Sequence, residues 1–274
     1  MVRCTRGSGS LRYCPKAYGF VSRDGAPDSQ LSADAGIGFR MRVAVLQSNY
    51  LPWRGYFDLI HDVDVFVFYD DVQYTVNDWR NRNRVKTANG VVWITIPIGN
   101  QNDRRICDVE IRDRGWARRH WMTIEQSYRR APHFAKVAPF LRELYARDWR
   151  SLSELNQATI KAIAREMLGI TTEFRDSREF ALQGSKSDRL LLLLKQLGAD
   201  EYVSGPAAKV YVDADAYARA GINVTWKDYS AYPEYPQLHG LFVPDVSIVD
   251  VLMCCGDQSP HYLWGYRRAT GTLA

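Results

Sequence analysis

Cysteine and histidine are scarce in this chain, with five of each in 274 residues. Cys4, Cys14, Cys107, Cys254 and Cys255 form no C-x-x-C pair. That excludes a zinc knuckle and a disulfide framework and fits a reducing cytoplasm. His61, His120, His133, His239 and His261 are dispersed and nowhere take H-E-x-x-H spacing, so no metal-ligand set is specified. G-x-S-x-G and phosphate-loop lysine patterns are missing too, which argues against a nucleophile elbow and a P-loop NTPase. The longest leucine run, 190–194, is far below the roughly 18 apolar residues a membrane span needs. Residues 1–25 have a basic start but no apolar stretch, so a secretory signal is not expected. No internal repeat is visible. A large charge excess is also lacking. The formal charge is +5, and residues 1–40, with six basic and three acidic side chains, hold +3 of it. A nearly neutral remainder is a poor match to nucleic acid.

What is present reads as an α/β protein. The 46% apolar fraction is enough for a sizeable core. Residues 1–40 lack hydrophobic periodicity and are rich in Gly, Ser, Arg and Asp, the pattern of a disordered tail or of a start placed upstream of Met41. From Met41 on, strands and helices alternate. Strands are expected over 42–47 and 64–71, then a hairpin over 83–99 turning at Asn89-Gly90. A helical insertion follows around 114–169, with Ser151 and Glu154 placed as a capping box. The alternation resumes with a strand at 170–177 and a helix from Ser185 to its stop at Gly198. Two more strands, 201–206 and 222–229, flank a short helix at 213–221, and a last helix runs to Gly256. The expected architecture for 41–274 is one domain with a mostly parallel sheet flanked by helices.

In such sheets ligands bind beyond the carboxyl ends of the strands. That rule selects Gln47, Asn49, Tyr50, Trp53 and Gly55 after the first strand, and Asp70 and Asp71 after the second. The crowded turn L-Q-S-N-Y-L-P-W-R-G-Y-F suits a ligand site at a helix start, although it could simply pack. Asp70 and Asp71 are the candidate catalytic carboxylates; strand alternation aims them to opposite faces, so they should differ in role. Asn81, Arg82 and Arg84 offer amides and guanidinium forks, with the asparagines expected on one face and the arginines on the other. Ser185, Lys186, Arg189 and Lys209 are the candidate phosphate ligands. Each could instead be an ordinary cap or a solvated charge. No motif specifies a cofactor.

These residues carry a resemblance. Q-S-N-Y-L-P-W-R-G-Y-F-D-L-I, D-V-F-V-F-Y-D-D-V-Q-Y-T-V-N-D-W-R-N-R-N-R-V-K-T, S-Y-R-R-A-P-H-F, D-R-L-L-L-L-L-K-Q-L-G-A-D-E-Y-V-S-G-P-A-A-K-V-Y-V-D and the segment from Tyr235 to Gly256 resemble the WbqC-like protein family over nearly all of 41–274. Ser48 stands where the family opening usually has proline. The motif positions include Gln47, Tyr50, Trp53, Gly55, Asp70, Asp71, Asn81, Arg82, Lys209 and Asp250. The resemblance implies a cytoplasmic step acting on a nucleotide-linked sugar or a related small molecule in surface-glycan biosynthesis, and the leading expectation is a group-transferase of glycan or specialised-metabolite assembly. It supplies no catalytic assignments. A weaker likeness in layout, Pro52-x-x-Gly55-Tyr56 early and S-K-S-D-R late, is to nucleotidyltransferases with HIGH-type and KMSKS-type signatures, but the histidines of the first motif are missing. A binding subunit that positions a partner transferase is the non-enzymatic alternative. The oligomeric state is not specified.

Overall fold

The computed structural model describes residues 40–184 and 186–269. Five parallel strands form the central sheet: β1 (Arg42–Leu46), β2 (Val65–Phe68), β5 (Glu173–Asp176), β6 (Glu201–Ser204) and β7 (Asn223–Trp226), in the order β5-β2-β1-β6-β7. The expected α/β architecture is therefore present. Taken in chain order, the sheet strands run 3-2-1-4-5, so the winding starts at the centre, proceeds to one edge, then returns to build the other. Val43 pairs with Val65, Phe66 with Phe174, and Tyr202 with Val224. β3 (Arg82–Thr87) and β4 (Gly90–Thr95) form a separate antiparallel hairpin.

Strand alternation divides the core into two layers. Ala44, Phe66, Phe68 and Val203 face one side, against α1 (Arg54–His61), α4 (Leu152–Ala162) and α7 (Ile248–Cys255). Val43, Val45, Val65, Val67 and Tyr202 face the other, against α5 (Lys186–Gln196) and α6 (Ala214–Arg219). Because both faces are covered, β2 is buried at every position, and its sequence V-F-V-F has no polar alternation. The insertion between β2 and β5 contains the hairpin and then α2 (Trp116–Tyr128), α3 (Phe134–Ala146) and α4, which together extend the first layer.

Local chemistry sets most boundaries. Ser151 caps α4 by accepting from the Glu154 N–H at 3.3 Å, Asp213 caps α6, and Ser247 caps α7. Beyond α5 the chain turns at Gly198 with φ of 66°, a conformation that favours glycine. The strand expected over 64–71 ends at Phe68; the Tyr69 N–H still donates to the Leu46 carbonyl at 3.0 Å, and beyond it the chain leaves the ladder, the Asp70 carbonyl accepting from the Cys107 N–H at 2.9 Å. The strand expected over 170–177 narrows to β5 for lack of a neighbour on its outer side. The chain also continues helically past Gly256, to α8 (Tyr266–Ala269), which the sequence reading did not anticipate.

Candidate functional site

The strand order reverses between β1 and β6, so their outgoing loops diverge to opposite faces; it is beside such a reversal, at the carboxyl edge, that parallel sheets of this kind place a ligand crevice. Alternation decides which side chains meet there. Extending Val43–Val45, Val65–Val67 and Tyr202 by one step puts Gln47, Tyr69 and Ser204 on the α5/α6 side, and Asp71 is drawn to the same side by Arg189 of α5. Ser48 and Asp70 fall on the α1/α4 side.

Asp70 and Asp71 are correspondingly held in different ways. Asp70 is fully buried. One carboxylate oxygen accepts from the Ser48 N–H at 2.8 Å; the other accepts from Ser153 Oγ at 2.5 Å and Gln157 Nε2 at 3.1 Å. It thereby ties the β1 loop to α4. Asp71 accepts from Ser177 Oγ at 2.5 Å and forms an ion pair with Arg189 of α5, on the crevice face.

The turn after β1 is built largely by buried polar groups. Leu51 is fully buried with φ of 41°, an unusual conformation for a leucine that costs about 1–3 kcal/mol unless its surroundings enforce it. Asn83 Nδ2 donates to the carbonyls of Tyr50 and Leu51, at 3.1 and 2.8 Å, and Ser247 Oγ donates to Leu51 at 2.8 Å. Tyr50 points into the core, its hydroxyl meeting His120 and Tyr145, and burial raises its pKa well above the ordinary value. Its ring is therefore packed inside. Trp53 packs edge-on against Tyr229 and Tyr232, with centroids 5.2 and 5.9 Å apart. A β-carbon on Gly55 would lie 2.3 Å from the Trp53 ring, so the space kept open by this glycine is taken by the indole rather than a ligand. Tyr229 in turn approaches Gly205 at the end of β6. Asn49 accepts from Arg80 at 2.7 Å.

The other expected basic groups are distributed. Asn81 and Asn83 are buried, whereas Arg82 and Arg84 lie on the opposite, outer face of the hairpin, as alternation requires. Asn81 is occupied by Tyr74 and the Ile96 carbonyl. Arg82 donates to the Asn77 carbonyl and lies 4.4 Å over Trp93; Arg84 pairs with Asp245 and flanks Trp79 and Trp93. The structure thus places these two arginines in an aromatic stack with Trp79 and Trp93 on the outer face of the hairpin. Lys209 is exposed after β6, 5.8 Å over Trp226. Ser185 and the side chain of Lys186 lie outside the described residues, though the start of α5 is at the carboxyl edge.

Tyr69 was missed as a site candidate, although the strand-end rule that selected Asp71 would have served equally. The ligand atoms of Asp58, His61 and Asp62 lie within 4.8 Å of one another. Those carboxylates already have cationic partners: Lys227 and Arg267 both pair with Asp58 and with Asp62. Two depressions lie away from the β1/β6 switch point, one beside Glu110, Arg114 and Arg150, the other at the amino edge of the sheet between His61 and Thr172. Among the described residues, no helix is long and apolar enough to cross a membrane.

The profile of the WbqC-like protein family matches residues 47–262. An uncharacterised protein of Mycobacterium tuberculosis (strain ATCC 25618 / H37Rv), Rv1507c, is 46% identical over 225 residues, which cover 81% of this chain and 97% of that protein. No solved structure matches.

Proposed function

The chain belongs to the WbqC-like protein family, and from that premise we propose that it is a group-transferase that binds a nucleotide-linked sugar or related phosphorylated small molecule between the ends of β1 and β6. The observation that carries this reading is the 3-2-1-4-5 parallel order, whose reversal coincides with a polar cluster drawn from widely separated segments. Gln47, Tyr69 and Ser204 contact the ligand, and Trp53 with Tyr229 forms a wall. Arg80, steadied by Asn49 and by Asp78 at 3.5 Å, and Lys209 supply positive charge for phosphate. Asp71, held by Ser177 and Arg189, is the carboxylate on the crevice face and the one placed to accept a proton from an acceptor substrate. Asp70 positions the β1 loop. The step is cytoplasmic and belongs to surface-glycan or specialised-metabolite assembly.

A thermal-shift series with UDP, CDP, ADP and their sugar conjugates tests the proposal. A ligand at ~100 times its dissociation constant stabilises by ~2.7 kcal/mol, a readily measured shift. Absence of any shift at millimolar concentration across the whole series overturns it.

A second reading, a non-catalytic subunit that positions a partner, is favoured by one observation. Trp79 and Trp93 are 39% and 46% exposed, 5.3 Å apart, on the outer face of the hairpin. A Trp93→Ala variant that retains ligand binding but loses activity only in the presence of a partner would support it.

A further inference from the structure

The β3–β4 hairpin has two edges, and the chain closes only one of them. One residue beyond the Arg82–Thr95 pair, the Ile96 N–H donates to the Asn81 carbonyl at 2.8 Å. That sets the phase of the ladder: Asn83 with Ile94 and Val85 with Val92 exchange its bonds. The backbone groups of Arg82, Arg84 and Lys86 on β3, and of Val91, Trp93 and Thr95 on β4, therefore point outward. The β3 edge is covered: the Arg84 carbonyl accepts from the Ser247 N–H at 2.9 Å, and the Lys86 N–H donates to Tyr128 Oη at 3.1 Å. On the β4 edge the Thr95 carbonyl meets Nε2 of His120, but Val91 and Trp93 have no outward backbone partner among the described residues.

Open edges are ordinarily blunted by charge, proline or a bulge. Gly90–Thr95 reads G-V-V-W-I-T in unbroken register and has none of these. Val91 is 37% exposed and Trp93 46%. Pro97, at the next outward position, has no N–H and ends the usable edge on that side, as the Asn89-Gly90 turn ends it on the other. The window left runs from Val91 to Thr95, and Trp93 is its midpoint.

We infer that a second copy of this chain pairs with this edge, β4 against β4, antiparallel about a two-fold axis at Trp93. Trp93 then faces the second copy's Trp93 and Val91 faces its Thr95, each facing pair exchanging two N–H···O bonds. The contact is isologous and joins the hairpins into a four-stranded sheet. Both outer edges of that sheet are β3, already covered by its own chain, so self-pairing leaves no edge open; a lone strand added by another protein would expose its own far side. Charge permits the pairing. β4 has no ionisable side chain, and Arg84, beside Trp93, is paired with Asp245. The two copies of Arg84 stand three strand spacings apart, about 14 Å, beyond the ~8 Å over which exposed charges act at physiological ionic strength. A partner selected by charge would need free cations, whereas Arg82 is stacked over Trp93 and donates to the Asn77 carbonyl. The contact is smaller than the ~800 Å² per partner of a standard interface, so association is expected at micromolar concentrations. The inference is independent of what binds beside β1 and β6.

The test is sedimentation velocity of the full chain from about 1 to about 200 µM. Wild type should pass from monomer to dimer over that range. Val91→Lys places a charge at an exposed position of the edge. It should raise the dimer dissociation constant by about tenfold or more while leaving the melting temperature of the dilute protein unchanged. The register is read separately with a Val91→Cys/Thr95→Cys variant, which keeps Trp93. Within one strand these positions are about 13 Å apart, too far for a disulfide, but across the two-fold axis they face each other at about 5.5 Å. Mild oxidation should give a covalent dimer whose peptide map joins position 91 of one copy to position 95 of the other. A wild type that stays monomeric at the highest concentration, a dimer that Val91→Lys leaves unchanged, or an oxidised dimer linked only elsewhere would each overturn the inference.

Discussion

The hydroxyl of Tyr50 donates to Nδ1 of His120 across 2.9 Å, joining the loop after β1 to the inserted helix α2. The partners fix the tautomer. Nε2 of His120 lies 3.1 Å from the Thr95 carbonyl, which can only accept, so Nε2 carries the proton and Nδ1 is the acceptor. The Tyr50 oxygen then accepts from Tyr145. Protonating the imidazole at Nδ1 would break this chain.

Stability should therefore depend on pH through His120. Burial pushes its pKa down from 6.5 to about 4. The unfolded chain thus binds a proton that the folded chain refuses between those values. The contribution is fully present above about pH 6.5 and is lost as pH falls toward 4, amounting to on the order of 3 kcal/mol. Urea unfolding at half-unit steps from pH 7.5 to 4.5 should show that decline, and a His120→Gln variant, whatever its absolute stability, should show a shallower one. Equal slopes in the two proteins would remove His120 as the cause.

Asp70→Asn and Asp71→Asn should separate stability from ligand binding. Asp70 is buried with three donors on its carboxylate, including Gln157, whose amide would meet a second amide in the variant. We expect a loss of roughly 2–4 kcal/mol in urea unfolding. Asp71 is partnered at the edge by a part-exposed arginine, so its variant should lose about 1 kcal/mol or less. Ligand affinity or turnover, by contrast, should collapse with Asp71→Asn. Matching profiles for both variants would contradict the two-face arrangement.

That two-face arrangement was legible in the sequence, because it follows from the pleat alone. So were the hairpin turn at Gly90, the Asn81/Arg82 alternation, the capping of α4 by Ser151 and the parallel α/β class. Partner identity was not legible. Nothing local to Arg84 announces Asp245, 161 residues away, or to Asp70 announces Ser153 and Gln157. The ring contact of Tyr202 with Tyr217 is invisible for the same reason, since the two meet only through the placement of α6 on the sheet. Tyr50 looked like a ligand-stacking ring because the strand-end rule locates a loop without saying which of its side chains turn inward.

Lys227→Met should be costly, and acid should reduce the cost. Lys227 is buried between Asp58, at 2.9 Å, and Asp62. Burial raises the pKa of Asp58 despite that ammonium. Burial would raise Asp62 as well, yet His61, Lys227 and Arg267 together hold it well below the carboxylate range. Removing Lys227 leaves two close carboxylates with Arg267 as their common cation, at a cost of about 3–5 kcal/mol near neutral pH. In the variant Asp58 should protonate more readily still, since the ammonium that opposed its upward shift is gone. The difference from wild type should therefore be smaller at pH 5 than at pH 7.5, as read by denaturant midpoints. A difference that grows on acidification would contradict this account.

Gly55→Ala decides between helix propensity and packing. Gly55 is the second residue of α1, where alanine would ordinarily stabilise by up to about 1 kcal/mol. Its added methyl would sit 2.3 Å from the Trp53 ring, closer than any real contact. The indole would have to leave Tyr229 and Tyr232, which hold it edge-on, and with it would go the wall beside Gly205. We expect a net loss of about 1–3 kcal/mol, the usual cost of overpacking. Ligand affinity should fall in parallel. The mechanism is isolated by a double-mutant cycle: in a Trp53→Ala background the clash is gone, so Gly55→Ala should become neutral or stabilising. The same destabilisation in both backgrounds would mean that the glycine serves the backbone and not the indole.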